Sequence, residues 1–172
     1  MADEVRTFLN VWDEEAKKTT AMLRALPKDQ YDFRPDAGGR SLGELAWHLA
    51  EIEGYTGFGI ERGAFDMGVK PPGIERPRTI EAFAPGYEQV HADAVQKVQK
   101  LTAADLDRRV IFFTGDEMPI RNILWSAMLH HQIHHRGQLS VLCRLAGGCP
   151  PGTYGPNREE MAKFREKMAV TK

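Results

Sequence analysis

The sequence predicts an all-α fold, an antiparallel four-helix bundle with a short extra helix at the C-terminus. Apolar residues recur at three- and four-residue steps over four long segments, and stretches rich in Pro and Gly separate these segments. A chain of 172 residues is long enough to bury a core of its own but gives no reason to expect a second domain. We therefore predict that residues 1–172 form a single four-helix-bundle domain.

Periodicity and a capping signal define the first two helices. Between Asp3 and about Ala25, apolar residues recur at helical spacing and predict the first helix. The stretch LPKDQYDFRPDAGGR is rich in turn formers and predicts a long ordered connection. Ser41 then lies three residues before Glu44, the spacing of a capping box, so we expect a second helix from Ser41 to about Arg62.

The remaining elements follow from breaks in the pattern. GVKPPGIERPR interrupts the periodicity before a third helix, predicted over residues 79–101. RRVIFFTGDEMPIR predicts two short extended segments around residues 115–116, which together form a hairpin. The fourth helix is predicted over residues 120–146 and ends at GGCPPGTYGPN, and the short terminal helix over residues 158–168.

Charge and composition exclude several classes of function. The chain has 23 basic and 24 acidic residues and no block of five like charges, so we expect no nucleic-acid partner. It has no run of 18 apolar residues, and its amino terminus, MADEVRTFLN, is acidic and amphipathic, unlike a signal peptide. We therefore expect a cytoplasmic protein without membrane contact. Cys143 and Cys149 are expected to be reduced thiols that neither bind metal nor act as nucleophiles.

Four histidines lie close together in LHHQIHHRGQ, residues 129–138. On an ideal helix with Leu124 at the origin, His131 falls at about −20° and His135 at about +20°. On the same projection His130 falls at about 240° and His134 at about 280°. The first pair therefore projects into the middle of the predicted apolar stripe. Residues at i and i+4 lie one turn apart, so both imidazoles can reach one cation.

A core position for two histidines has two explanations. An isolated histidine on an apolar face is usually a hydrogen-bonded core residue. Burying His131 and His135 together without a cation would leave four ring nitrogens to satisfy, at about 1–3 kcal/mol for each one missed. The pair therefore favours a metal site, and His130 and His134 are expected to be partly exposed or to contact another subunit.

A catalytic zinc site commonly uses three protein ligands, so a third must come from another helix. His48, in SLGELAWHLAEIE of the second helix, falls about 60° from Leu45 and so lies at the edge of that buried stripe. Glu53 is a rival, either as a ligand or as an acceptor for an imidazole N–H. We expect Glu53 to be an exposed helix charge instead.

Other polar residues near these positions are weaker candidates. Arg40, Arg62 and Arg136 could bind an anionic cofactor, but each is expected to be a solvated surface arginine. We assign His91 no role. The helix carries serines but the chain has no Gly-x-Ser-x-Gly elbow, so a hydrolase triad is not expected.

Three apolar residues of the fourth helix, Trp125, Leu129 and Ile133, project away from the predicted stripe at about 100°, about 140° and about 180°. They either pack under the terminal helix and the Pro/Gly loop or belong to a dimer surface. Both interpretations stay open at this point.

SLGELAWHLAEIE, followed far downstream by HHQIHHRGQLSVLCRLAG, resembles the DinB-like (DinB/YfiT) superfamily. The similar layout includes ALPKDQYDFRP before the second helix and PPGTYGP after the fourth. Its specific part is the helix-two histidine paired with HxxxHRGQ. The resemblance implies an antiparallel four-helix bundle, often a homodimer, with a divalent metal held by three histidines at positions that match His48, His131 and His135 here. The same pattern suggests that Arg136 and Gln138 make structural hydrogen bonds.

The resemblance also implies a function. Some members of the superfamily are thiol-dependent, including bacillithiol S-transferases and mycothiol-using relatives such as a maleylpyruvate isomerase. We therefore expect a metal-dependent transferase that acts with a low-molecular-weight thiol on a small-molecule substrate, with zinc or nickel as the metal. The alternative is a non-catalytic, stress-related bundle in which the metal is structural.

Overall fold

Four long helices form a bundle. The helices begin and end close to the predicted segments. The computed structural model describes residues 4–66 and 68–170, so the predicted first helical residue, Asp3, lies outside the described residues. The helices, in chain order, are α1 (Glu4–Arg24), α2 (Leu42–Arg62), α3 (Phe83–Val98), the short α4 (Ala103–Asp107), α5 (Ile120–Asn122), α6 (His131–Leu145) and the terminal α7 (Arg158–Val170). A π-helical segment, Ile123–His130, joins α5 to α6 into the predicted fourth helix. The all-α prediction is confirmed.

Contacts at two levels define how α2 lies beside α3. The ring of Trp47 contacts Gly86, where an added Cβ would lie only 3.0 Å away. Further along both helices, a Cβ on Gly57 would lie 3.0 Å from Ala94. The two helices therefore run in the same direction and approach closely where glycine has no side chain.

α1 and α6 form the second parallel pair. Phe8 packs edge-on against Trp125, with ring centroids 5.1 Å apart, and Glu15 pairs with Arg136 further along. α1 also packs against α3, and α2 against α6, each in the antiparallel direction. The four helices thus close a ring, and its centre is filled by apolar side chains.

The apolar residues that project off the predicted stripe pack inside the molecule. Leu129 is buried, and Trp125 and Ile133 are half-buried against the core cluster that includes Phe8 of α1. Trp125 packs against Phe8 of α1, a contact that neither interpretation of these residues includes. A dimer surface that includes them stays a prediction.

Small elements connect the long helices. The predicted hairpin is present as β1 (Arg109–Ile111) paired antiparallel with β2 (Glu117–Pro119), and Gly115 in its turn has φ +89°. α4 was not predicted, although Thr102 and Asp105 form a capping box at the same spacing as that of α2. The predicted third helix is shorter than expected, because a 3-10 turn replaces its first residues and α3 ends at Val98.

The most apolar stretches of the bundle remain too short or too polar for a membrane span. Among residues 4–66 and 68–170, we find no helix that combines the necessary length and hydropathy.

Candidate metal site

α2 and α6 bring the three predicted histidines together at one side of the bundle. One ring nitrogen from each of His48, His131 and His135 lies within 4.8 Å of the other two. The Nε2 atoms of His131 and His135 are 2.7 Å apart. The His48 ring centroid lies 5.6 Å from that of His131 and 4.7 Å from that of His135. The sequence therefore predicted this juxtaposition correctly.

Each imidazole is oriented by an acceptor that belongs to its own helix. His48 Nδ1 lies 3.2 Å from the carboxylate of Glu51, and His135 Nδ1 lies 2.6 Å from Oε1 of Gln138. The His131 ring hydrogen-bonds the backbone carbonyl of Ala127. Acceptors of this kind take the N–H of a neutral imidazole and leave its other nitrogen with a free lone pair, the arrangement commonly found behind metal ligands.

Partial burial favours the neutral forms of His131 and His135. Burial lowers the pKa of His135 to about 4, although the hydrogen bond to Gln138 acts in the opposite direction. Burial, followed by the neighbouring His48, also lowers the pKa of His131. The Nε2 atoms of these two rings lie 2.7 Å apart, and when both N–H groups are donated to the acceptors behind the rings the two Nε2 lone pairs face each other. A cation between them would satisfy both lone pairs at once.

The histidines lie at the edge of the buried face rather than in its middle, which corrects the projection. The middle is occupied by the buried residues Gln132, Arg136 and Leu139. An ideal α-helix would place Gln132 about 80° and Arg136 about 120° from Leu124. The π-helical segment closes its hydrogen bonds over five residues, so it turns less per residue and brings Leu124 onto the same face as these two.

This rotation leaves the histidines half-buried beside an opening. His48 and His131 line a cavity of about 120 Å³ between α2, the hairpin and the π-helical segment. Within the described ranges, the three histidines are the only group of three or more His, Cys, Asp or Glu side chains positioned to share an ion. The residues present thus fit a three-histidine site with a position left open.

Comparison with known proteins shows the family of this chain. The DinB family matches residues 1–168. This chain belongs to the DinB family. It is 33% identical over 159 residues to the Bacillus subtilis (strain 168) protein named uncharacterized protein YrdA, covering 91% of this chain and 92% of that one.

Solved structures of DinB-like proteins share the fold. A DinB-like protein from Bacillus cereus ATCC 10987 superposes with a TM-score of 0.71 at 32% identity, covering 86% of this chain and 95% of the other. The DinB-like protein YjoA from Bacillus subtilis superposes with a TM-score of 0.69 at 23% identity, covering 88% and 99%. The second likeness concerns the fold alone.

In this DinB-family chain Glu53 is not the exposed charge that was expected. Its side chain is fully buried, and Oε1 accepts hydrogen bonds from Trp12 Nε1 at 2.9 Å, from the Tyr87 hydroxyl at 2.6 Å and from the amide of Gln132. Oε2 lies 2.7 Å from His91 Nδ1. Burial and the nearby carboxylate raise the pKa of Tyr87 well above its ordinary value, so it remains a donor.

The sequence analysis missed this network. The sequence assigns His91 no role, and it predicts Glu53 as an exposed helix charge, with a place at the metal site as the alternative. The only signal in the sequence was the projection of Glu53 near the buried stripe of α2. Its four partners come from α1, α3 and α6, and a local sequence pattern does not predict such long-range pairing.

Arg136 is also buried rather than solvated. Its guanidinium pairs with the carboxylate of Glu15 and donates to the Glu15 backbone carbonyl at 2.8 Å and to the Tyr154 hydroxyl at 2.7 Å. Burial opposes ionisation of Glu15, but hydrogen bonds from Lys18, Tyr154 and Arg136 outweigh it and lower the Glu15 pKa. The structural role suggested for Arg136 by the family resemblance is confirmed.

The other candidates lie apart from the cluster or on its outer side. Arg40 is exposed and lines a separate groove with Gln138, and Arg62 is exposed, with its guanidinium 5.2 Å from the ring centre of Phe58. The expected exposure of His130 and His134 is confirmed. Both cysteines are free thiols; Cys143 is buried and Cys149 exposed.

Proposed function

We propose that this protein binds one divalent metal ion through His48, His131 and His135 and uses it to transfer a low-molecular-weight thiol to a small-molecule electrophile. The observation that carries the proposal is the convergence of three imidazole nitrogens whose rings are held from behind by Glu51, the Ala127 carbonyl and Gln138.

The open coordination position favours an enzyme over a structural metal site. Structural zinc sites are closed by four protein ligands, whereas catalytic sites use three and leave one position for a ligand. No fourth His, Cys, Asp or Glu joins the group in residues 4–66 and 68–170. The cavity beside His48 and His131 provides access for a small molecule.

Three imidazoles suit zinc and nickel equally, so the ligand set does not choose between them. A metal ion at an open position supplies positive charge that favours the thiolate form of a bound thiol near neutral pH. The chain itself contributes the orientation of the rings and an apolar cavity for the second substrate. The Cys143 thiol is not suited to the reaction, because it is buried and burial raises its pKa.

The metal assignment is tested by elemental analysis of protein purified without added metal. We expect one divalent ion per chain in the wild type and in His130→Ala and His134→Ala, which change neighbouring exposed histidines. His48→Ala, His131→Ala and His135→Ala should each lose the ion. Stoichiometric metal in any of these three variants would remove that residue from the ligand set.

The transferase assignment is tested separately, by conjugation of a low-molecular-weight thiol to a simple aromatic electrophile. His48→Ala should abolish conjugation, while circular dichroism shows the helical content retained, because packed apolar faces hold the bundle together. Metal bound in the wild type without any conjugation would support the alternative, a non-catalytic bundle with a structural metal. A single chain does not test the predicted homodimer, which stays a prediction.

A further inference from the structure

The cavity beside the histidines has walls that select its ligand. We propose that it binds an uncharged or cationic apolar molecule about the size of one aromatic ring, and that this molecule is the electrophile. Its role as a substrate pocket rests on the proposed function, whereas its affinity for such a ligand does not.

The volume limits the ligand. The cavity offers about 120 Å³, and an apolar cavity of about 150 Å³ in another protein holds benzene. A single substituted ring or a short hydrocarbon chain therefore fills it, while the larger parts of a bulky substrate must stay outside.

The walls are apolar and largely aromatic. Phe65, Phe112 and Phe113 form one side, with ring centroids 5.1 Å apart for the first pair and 4.2 Å for the second. Ile52 and Ala127 form another part of the wall. Phe113 has 52% of its surface exposed, so a ligand can reach the aromatic wall from solvent.

The hydroxyl of Thr56, a residue of this wall, already makes a hydrogen bond within α2. Thr56 Oγ1 donates to the Ile52 carbonyl at 2.7 Å. A ligand therefore finds few polar partners on this side and gains mainly from removing apolar surface from water.

The charges at the cavity are negative. Glu51 and Asp66 line it, and no Lys or Arg does so in the described part of the chain. Glu51 is shared with His48 and lies 3.9 Å from Arg76, whereas Asp66 is exposed and accepts a hydrogen bond from the backbone N–H of Gly68. In the metal-free protein an anionic ligand would thus meet repulsion without a compensating Lys or Arg in the wall, whereas an amine can approach Asp66.

The position of the cavity connects binding to chemistry. His48 and His131 belong to its wall, so a ring held there lies against the side of the histidine cluster. Arg40, which could hold an anionic group of the thiol, lines a different groove together with Gln138. The structure thus assigns the apolar cavity to the electrophile rather than to an anionic thiol.

Three probes of equal size and different charge test this proposal: benzyl alcohol, benzylamine and benzoate. Ligand-observed NMR titrations of the metal-free full chain, in which no ion on His48 and His131 can bind benzoate, should give dissociation constants at least about tenfold lower for the alcohol and the amine than for benzoate. Equal affinity for all three probes would overturn the charge argument.

Two pairs of variants locate the binding. Ala64→Phe should fill the cavity and weaken benzyl alcohol binding at least about tenfold, whereas Ala92→Phe on the exposed face of α3 should not change it. Asp66→Lys should reverse the preference toward benzoate, whereas Asp29→Lys, in an exposed turn, should not. Unchanged binding in Ala64→Phe would place the probes elsewhere and overturn the proposal.

A further variant separates this proposal from the metal assignment. His135→Ala should lose the metal yet bind benzyl alcohol normally, because His135 does not line the cavity. If the wild type binds metal but not the probes, the cavity proposal alone is contradicted. If the wild type binds the probes but no metal, the metal proposal alone is contradicted.

Discussion

Two polar clusters lie side by side between α2 and α6. They differ in whether their polar atoms are paired inside the protein or face a cavity. The Glu53 network is directed inward: four donors surround one fully buried carboxylate. The histidine cluster is directed outward, with its N–H groups already used and its ring nitrogens facing one another beside a cavity.

The neighbours His131 and Gln132 show how closely the two clusters are set. One side chain turns to the histidine cluster and the next to Glu53. Buried polar groups that satisfy one another hold a fold in one arrangement, whereas converging acceptors without donors form a binding site. The amide oxygen of Gln132 is the exception in the first cluster, since it has no partner among the described residues.

The largest expected effect is the loss of Glu53. Glu53→Leu leaves three or four buried donors without their acceptor, at about 1–3 kcal/mol each, so we expect the free energy of unfolding to fall by at least about 4 kcal/mol. Urea denaturation followed by circular dichroism measures it. Glu61→Leu, at the exposed end of the same helix, is the control and should change stability by less than about 0.5 kcal/mol. Similar losses in both variants would show that the network does not hold the fold.

The buried pair between α1 and α6 is next. Glu15→Gln leaves the Arg136 guanidinium buried without its counter-charge and should cost about 3 kcal/mol in the free energy of unfolding. The Glu15 pKa is lowered in the fold, so its contribution is complete above the unfolded-state value of about 4.3 and is lost as pH falls through the folded-state value.

Urea titrations at several pH values between neutral and acidic check that sign. As the pH falls below the unfolded-state pKa of Glu15, the free energy of unfolding should decrease more in the wild type than in Glu15→Gln. The variant has no carboxylate at this position, so protonation cannot remove its contribution. Equal losses in the two proteins would exclude Glu15 as a source of acid sensitivity.

The histidine cluster should stabilise the fold only through a bound ion. A ligand present at one hundred times its dissociation constant stabilises the native state by about 2.7 kcal/mol. Adding zinc to metal-free wild type should therefore raise the melting temperature measured by scanning calorimetry, and the same addition to His135→Ala should not. An equal rise in both proteins would indicate zinc binding elsewhere on the chain.

The smallest effect concerns the cap of α2, the helix that contributes to both clusters. The Ser41 hydroxyl accepts from the Glu44 backbone N–H at 3.2 Å, and the Glu44 carboxylate accepts from the Ser41 N–H at 2.8 Å. Ser41→Ala should cost about 1 kcal/mol in urea denaturation and leave the metal content unchanged. Loss of metal in this variant would show that the cap positions His48 as well as stabilising the helix.

The sequence by itself determined the long helices and one cluster. Local signals define α2, because Ser41 and Glu44 are three residues apart and cap it without help from the rest of the fold. Spacing within one helix likewise paired His131 with His135, since residues four apart always lie on one face. The fold class and the juxtaposition with His48 followed from these signals and from the family resemblance.

Only the tertiary structure decided which polar residues are buried. Glu53 and Arg136 look like ordinary helix charges in the sequence, and they enter the core because partners on other helices, such as Tyr87 and Glu15, meet them there. The π-helical segment rotates the buried face of the fourth helix relative to an ideal α-helix, so a projection at 100° per residue cannot predict that face. Hydrogen bonds between residues 34 to 121 positions apart depend on the packing of whole helices, which a local pattern does not encode.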